Sequence, residues 1–169
     1  EAKQGLVYAP RQRQTLELAL KNQLLVITGG PGTGKTTSVR AILALLDELG
    51  LKTLLCAPTG RAAKRMSELT GKDAATVHRL LGAKFDEEGG NVVFAKNESD
   101  RLDCDAVILD ESSMVDILLM DALLKALPPD ARLIMVGDAD QLPSVGPGNV
   151  FSALIRSEVV PVVRLTEIF

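Results

Sequence analysis

The stretch VITGGPGTGKTT, residues 26–37, decides the fold class of this chain. Residues 29–36 match the pattern G-x-x-x-x-G-K-[ST] without a mismatch, after an apolar run and before a segment of helical periodicity. Glycines in such a turn let backbone N–H groups converge on phosphate oxygens, and the positive end of the following helix points to the same place. The stretch therefore predicts a strand, a phosphate-binding loop and a helix; a glycine-rich turn without a ligand is the alternative.

The phosphate loop (residues 29–36) also carries side chains that suit a triphosphate with Mg²⁺. Lys35 can reach the β- and γ-phosphates, which makes it a catalytic candidate, and the Thr36 hydroxyl can ligate the metal. The predicted nucleotide-binding residues are Gly29, Gly30, Pro31, Gly32, Thr33, Gly34, Lys35, Thr36 and Thr37.

Outside the loop, short apolar runs alternate with segments of helical periodicity. Helices are expected at about 10–21, from the loop to Gly50, and between residue 115 and Pro128. Buried strands are predicted at 23–28, 52–57, 105–110, 132–137 and 160–165. This repetition predicts an α/β fold whose parallel sheet is covered by helices on both faces.

One segment, residues 82–100, does not follow this alternation. It has two short strand-like pieces on either side of Glu-Glu-Gly-Gly, which is typical of a hairpin turn. We therefore expect a small β-hairpin at residues 83–96, inserted between a helix and a strand of a single domain that spans 1–169.

Composition limits the class of protein. The chain has 169 residues, 46% of them hydrophobic and 3% aromatic, which suits one globular domain with an aliphatic core. No apolar run approaches the roughly 20 residues of a membrane span, and the first residues lack a signal-peptide pattern. Cys56 and Cys104 lack metal-ligand spacing, so we expect reduced thiols in a cytoplasmic protein. The first residue is not Met, so we expect a piece of a longer protein.

Charge is unevenly distributed, although the net charge is only −3. Residues 52–84 are rich in Lys and Arg, whereas residues 98–121 carry many carboxylates and Arg101 as their one base. This pattern indicates two ligands of opposite charge, a polyanion and a cation.

Two carboxylates, Asp110 and Glu111, end the predicted strand at 105–110. Buried carboxylates must be solvated or paired. Mg²⁺ is a partner for Asp110, and Glu111 is then placed to polarise a water for attack on the γ-phosphate. A helix start after the strand is the alternative. Gln141, just past a later strand, could read the γ-phosphate through its amide, or belong to a turn of Gly, Asp and Pro.

The basic segment CAPTGRAAKRMSEL, residues 56–69, leaves a strand, turns at 58–60 and enters a helix with Arg61, Lys64 and Arg65 near its start. Bases in the first turns of a helix oppose its dipole, and a polyanion lying on that end would explain them. An exposed basic helix face is the alternative.

Five motifs occur in a fixed order along the chain: TGGPGTGKTT, CAPTGRAAKRM, TVHRLL, LDESSMVD and GDADQLPSV. Together they resemble the first motor domain of superfamily 1 helicases, most closely the RecD-like helicases, from about Gln12 to the last residue. The resemblance implies a RecA-like fold, ATP with Mg²⁺, and 5′–3′ translocation along single-stranded DNA in recombination and repair. It also implies a second RecA-like domain beyond Phe169, without which the piece would be nearly inactive.

The same resemblance implies roles for single residues. Gln12 would read the adenine edge, with Gln14 as a nearby alternative, and Gln141 would couple the γ-phosphate to DNA. Thr59 and the bases after it would line the DNA track, and the hairpin would be a pin that parts strands at a duplex junction. His78, the one histidine, either packs or contacts nucleic acid. The predicted DNA-binding residues are Pro58, Thr59, Gly60, Arg61, Lys64 and His78.

Other functions stay open at this point. A P-loop kinase or another small-molecule phosphotransferase would need an acceptor pocket and an Arg-rich lid, for which the sequence has no signal. A nucleotide-gated binding module would have the same loop without motor action, and RNA could replace DNA as the substrate. A stand-alone helicase and a subunit of a recombination nuclease complex are both compatible with the motifs.

Overall fold

The structure of the protein, a computed structural model, describes residues 10–87, 89–142 and 144–166, without the side chains at 11 and 12. Within these ranges the strands are β1 (Leu24–Gly29), β2 (Thr53–Ala57), β3 (Ala74–Thr76), β4 (Ala83–Phe85), β5 (Val92–Phe94), β6 (Ala106–Leu109), β7 (Arg132–Gly137) and β8 (Val162–Leu165). The helices are α1 (Pro10–Lys21), α2 (Lys35–Glu48), α3 (Gly60–Thr70), α4 (Val77–Leu80), α5 (Ile117–Ala126) and α6 (Val150–Ser157), with a 3₁₀ turn at Ser112–Met114. The predicted α/β class is confirmed.

The main sheet is parallel throughout. Among the described residues it has six strands in the order β3-β2-β6-β7-β1-β8. The register pairs Cys56 with Leu109 and Thr28 with Gly137, so β1, β2, β6 and β7 all end at one edge. We call this the carboxyl edge. It collects the loops that follow the strands, which is where open α/β sheets bind their ligands.

Both faces of the sheet are buried, which explains why its strands are continuous apolar runs. On β6, Val107 and Leu109 belong to one core cluster, and Ala106 and Ile108 belong to the other. α5 and α6 cover the first cluster and α2 covers the second. The rigid layer between the helices fixes the positions of the loops at the carboxyl edge.

The sequence prediction missed one strand and placed the start of another two residues too early, while the other predicted strand ends agree within one residue. β3 was not predicted, because its sequence Ala-Ala-Thr is half-buried at the edge of the sheet and has no apolar run. The last strand begins at Val162 rather than at residue 160. Pro161 has no N–H for the ladder, although its carbonyl oxygen accepts a hydrogen bond from the Val26 N–H at 3.0 Å.

The predicted hairpin is present as a separate antiparallel pair of strands, β4 and β5, between α4 and β6. Its register places Phe85 opposite Val92, and Gly90 lies in its turn with φ +67°. The Lys96 N–H donates to the Leu81 carbonyl oxygen at 3.0 Å, which ties the base of the hairpin to the end of α4. The hairpin is therefore attached to the domain at its base, and its strands form a sheet separate from the main one.

Two further features bear on the expectations from composition. Cys56 and Cys104 are free thiols in the same buried cluster. Burial raises the pKa of Cys56 to about 12 and that of Cys104 to about 11, so both are neutral core side chains near pH 7. In the part of the chain that the structure describes, no helix combines the length and apolarity needed to cross a bilayer.

Candidate nucleotide-binding site

The phosphate loop joins β1 to α2 at the carboxyl edge, and its backbone requires glycine at several positions. A Cβ at Gly29 would lie 2.5 Å from Thr33 Oγ1 and 2.7 Å from the Leu165 carbonyl oxygen, so a larger residue has no room. Gly32 and Gly34 have φ of +76° and +83°, a region that residues with side chains avoid. The sequence pattern thus corresponds to a tight turn that leads directly into the start of a helix.

Lys35 begins α2, and its side chain turns back over the loop. Its Nζ donates hydrogen bonds to the carbonyl oxygens of Gly29 at 2.5 Å and Gly30 at 2.7 Å. Burial lowers the pKa of Lys35, and the carboxylates of Asp138 and Asp110 oppose that decrease. The amine therefore lies inside the curve of the loop, where it can reach an anion that the loop holds.

Asp110 and Glu111 follow β6 at the same edge. Asp110 is half-buried, and its Oδ1 accepts a hydrogen bond from the Glu111 N–H at 2.8 Å. Burial raises the pKa of Asp110, while this hydrogen bond and Lys35 lower it. Glu111 has φ +49°, a conformation that costs a residue with a side chain roughly 1–3 kcal/mol and is common at functional sites. The Ser112 hydroxyl donates to the Leu109 carbonyl oxygen at 2.8 Å and stabilises this turn.

The loop after β7 brings Asp138 and Gln141 to the edge. Asp138 is buried, and its Oδ1 accepts from the Asp140 N–H at 3.0 Å. The Gln141 N–H donates to the Asp138 carbonyl oxygen at 3.3 Å. Thr28, at the end of β1, accepts from the Ala139 N–H at 3.1 Å through Oγ1. The loop is thereby tied to the strand that leads into the phosphate loop.

These segments line one cavity of about 650 Å³, within the size range of small-molecule sites. The predicted residues on its lining are Pro31, Gly32, Gly34, Lys35, Thr36, Thr37, Asp110, Glu111 and Gln141. Gly29, Gly30 and Thr33 shape the loop without lining the cavity, and the side chain of Gln12 lies outside the described residues. The fold thus brings three distant motifs together, and the role of each residue stays a prediction.

The cavity contains donors that suit Mg²⁺. Asp110 and Thr36 both line it, and a carboxylate and a hydroxyl are oxygen ligands of the kind that this ion prefers. Within the described ranges, no three His, Cys, Asp or Glu side chains are grouped as an all-protein metal cage would require. Mg²⁺ that accompanies a nucleotide needs no such cage, because phosphate oxygens and water complete its shell. The donor set therefore fits the predicted ion.

Helix α3 forms a wall of the cavity that the sequence analysis did not predict. Its lining residues are Arg65, Met66, Leu69 and Thr70. Arg65 was grouped with Arg61 and Lys64 as a base facing nucleic acid, but it lines the nucleotide cavity and they do not. A signal for this was present in the helical spacing, because Arg65 precedes the buried Met66 and so lies at the border of the buried face.

The predicted DNA-binding residues lie at the starts of α3 and α4. The register pairs Ala57 with Thr76, so the two helices begin side by side. Thr59 is the N-cap of α3, and its Oγ1 accepts from the Ala62 N–H at 3.2 Å. Its hydroxyl therefore has a structural role besides the predicted contact. Pro58 is half-buried, and Gly60, Arg61 and Lys64 are exposed.

His78 is exposed on α4 and contacts the hairpin. Its ring centroid lies 5.9 Å from that of Phe94, with the rings inclined at 46°. The packing interpretation therefore has a contact to support it. The exposed ring leaves the contact with nucleic acid as a prediction.

The sequence of this chain is similar to those of known proteins. Residues 12–147 match a family described as an AAA domain. The chain is 43% identical over 169 residues to the ATP-dependent RecD2 DNA helicase of Deinococcus radiodurans, covering 100% of this chain and 22% of that protein. It is 41% identical over 168 residues to the RecBCD enzyme subunit RecD of Mycolicibacterium smegmatis, covering 86% of this chain and 30% of that subunit. The chain thus spans less than a third of these relatives.

Solved structures have the same fold. A Pif1 helicase from Candida albicans superposes with a TM-score of 0.66 at 25% identity, covering 97% of this chain and 41% of that chain. A Bacteroides Pif1 in complex with ADP-AlF4 superposes with a TM-score of 0.64 at 22% identity, covering 97% of this chain and 43% of that chain.

Proposed function

Because the chain belongs to the AAA domain family, which it matches over residues 12–147, we propose that it is the first motor domain of a RecD-like DNA helicase. In the intact protein it would couple ATP hydrolysis to 5′–3′ movement along single-stranded DNA and to duplex unwinding, in recombination and repair. The proposal includes a second motor domain elsewhere in the protein and action in the cytoplasm, where the buried thiols stay reduced. The identity of 43% to a RecD2 helicase supports this choice within the family.

The observation that carries the proposal is the single cavity shared by three distant motifs. The phosphate loop and Lys35 would hold the triphosphate, while Glu111 and Gln141 reach the same space from β6 and β7. Thr36 and Asp110 would hold Mg²⁺, which would supply positive charge against the β- and γ-phosphates. A glycine-rich turn alone would not gather these groups.

Two side chains would act on the terminal phosphate. The Glu111 carboxylate would accept a proton from the attacking water, since it lines the cavity and lies next to Asp110. Gln141 would donate its amide to the γ-phosphate and report its presence. Its loop is hydrogen-bonded to Thr28 on β1, the strand that leads into the phosphate loop.

The nucleic-acid track would lie across the starts of α3 and α4. Arg61 and Lys64 are exposed there, and the adjacent hairpin carries exposed apolar side chains, with Phe85 67% exposed. Exposed cations suit phosphates, and exposed aromatic or branched side chains suit unpaired bases. The hairpin would act as a pin at a duplex junction.

ATP hydrolysis by the intact protein, measured with and without single-stranded DNA, tests the proposal. Stimulation by single-stranded DNA together with unwinding of a forked duplex is the expected result. Phosphate transfer to a small acceptor would indicate a kinase instead, and nucleotide binding without turnover would indicate a binding module. Equal stimulation of ATP hydrolysis by RNA would mean that the protein also acts on RNA. Because the chain is similar to a RecBCD subunit, we also propose that the intact protein associates with the subunits of a recombination complex. The mass of the native assembly tests this association.

A further inference from the structure

Helix α3 brings a second cation to the nucleotide cavity. Arg65 lines the cavity with Lys35, Asp110 and Glu111, yet it comes from neither the phosphate loop nor the carboxylate turn. It lies one helical turn after Arg61, so α3 has one base at the predicted nucleic-acid surface and another at the cavity.

Among the described residues, none forms a hydrogen bond with the Arg65 guanidinium or places a carboxylate within 4.0 Å of it, although the more distant Asp110 carboxylate interacts with its charge. Its neighbour Lys64, by contrast, pairs with Glu68 at 4.0 Å. Arg65 is exposed, so the five N–H donors of its planar fork are available to an acceptor that enters the cavity.

Lys35 and Arg65 line the same cavity from two separate helices. Besides burial, the positive charge of Arg65 lowers the pKa of Lys35. Arg65 also opposes the increase that burial causes in the pKa of Asp110. Two cations from separate elements therefore converge at a distance where each affects the other. The carboxylates of Asp138 and Asp110 offset part of the repulsion between the two cations, and a phosphate group between them would offset more of it.

We propose that Arg65 is a phosphate-contacting residue of the nucleotide site and binds the terminal phosphate of a nucleoside triphosphate. This rests on the nucleotide-binding function proposed above. Arg65 lines the cavity together with Asp110 and Glu111, the residues proposed to act at the terminal phosphate, whereas the phosphate loop would surround the inner phosphates. A guanidinium fork can donate two parallel hydrogen bonds to one phosphate. Arg65 would therefore distinguish a triphosphate from a diphosphate.

The test is nucleotide affinity in the intact protein, by fluorescence titration with Mg²⁺ and labelled ATPγS or ADP. Arg65→Ala should weaken ATPγS binding by roughly ten-fold or more, as the loss of a hydrogen bond to a charged group does, and leave ADP affinity nearly unchanged. Arg65→Lys should recover part of the loss, since it keeps the charge without the fork. Arg40→Ala is the matched control, because Arg40 is an exposed arginine on α2 outside the cavity lining.

Three results would overturn the assignment. The first is that Arg65→Ala lowers the affinity for ATPγS and for ADP equally, and the second is that it lowers neither affinity. The third is that it weakens DNA binding and leaves the ATPγS affinity unchanged, which would place Arg65 at the nucleic-acid surface instead. Lys35→Ala separates this from the proposed function. If Lys35→Ala weakens the binding of both nucleotides and Arg65→Ala weakens the binding of neither, the nucleotide site is supported and the proposed role of Arg65 is wrong. If Lys35→Ala has no effect, the nucleotide site itself is wrong. Should Arg65→Ala fail to fold, the ATPγS-to-ADP ratio of Arg65→Lys decides.

Discussion

Gly29 and Gly30 are neighbours in the phosphate loop, but a side chain has room at one of them and not at the other. A methyl group on Gly29 meets the Leu165 carbonyl oxygen, which is backbone and cannot rotate away, whereas one on Gly30 meets no atom within 4 Å. We expect Gly29→Ala to lower the free energy of unfolding by about 1–3 kcal/mol, as overpacking does, and Gly30→Ala to leave it nearly unchanged. Urea unfolding measures both; equal stabilities would show that the loop relaxes around the added methyl.

Lys35 and Glu111 line the same cavity, but their replacements should fail at different steps. Lys35→Ala removes the cation within the loop and should abolish ATP binding and turnover. Glu111→Gln keeps the shape but cannot accept a proton, so it should bind ATP and lose roughly 10²–10⁴-fold in hydrolysis rate. ATP titration and steady-state phosphate release separate the two effects. Parental turnover by Glu111→Gln would remove Glu111 from the role of base.

At the scale of elements, α3 offers a test of the nucleic-acid surface. If Arg61 and Lys64 contact phosphates, neutralising both should weaken single-stranded DNA binding for all sequences. The slope of log affinity against log salt should become shallower by about 0.7 per lost contact. Lys21→Ala is the matched control, because Lys21 pairs with Glu17 at i,i+4 as Lys64 does with Glu68, but at the end of α1. An unchanged slope would make the start of α3 an ordinary solvated surface.

The hairpin offers a second test at this scale. Deleting residues 85–95 and closing with a short loop should spare ATP hydrolysis and translocation, since no residue of β4 or β5 lines the nucleotide cavity. Unwinding of a forked duplex should fall, because a pin acts only where two strands part. Phe85→Ala, which removes an exposed ring without changing the fold, should produce part of the same defect. Normal unwinding by both variants would remove the pin from the mechanism.

The elements also show which parts of the fold the sequence can predict. Strands buried on both faces, such as β1 and β7, are continuous apolar runs and were predicted within a residue or two. β3 was not predicted, because an edge strand of three residues makes too few contacts to require a recognisable hydrophobic pattern in the sequence. Arg65 was missed at the site for a related reason. The helical spacing places it at the border of the buried face of α3, beside Met66, but which cavity that border lines depends on how α3 packs, and no motif encodes that packing.

At the scale of the whole molecule, we expect the buried Asp110 carboxylate to reduce the stability of the nucleotide-free protein. Burial raises the pKa of Asp110, so the folded protein favours the protonated carboxyl more than the unfolded chain does. Below the ordinary value of 3.8, the group is protonated in both states and costs nothing. As pH rises from there through the raised pKa, the folded state loses stability, and the full cost is present once the pH lies above that pKa. A bound cation would remove this cost.

Asp110→Asn should therefore raise the melting temperature of the nucleotide-free protein at pH 7, because a neutral amide avoids the cost of a buried charge and can still accept the Glu111 N–H. The gain should shrink as pH falls and Asp110 becomes protonated. Mg²⁺ with ATP should stabilise the parent more than the variant, because the variant lacks the carboxylate that would hold the ion. Thermal unfolding at several pH values, with and without Mg²⁺ and ATP, measures all three effects. A variant that melts below the parent at pH 7 would mean that the Asp110 charge is already compensated in the fold, through Lys35 and Arg65, and that the site carries no cost for the ion to relieve.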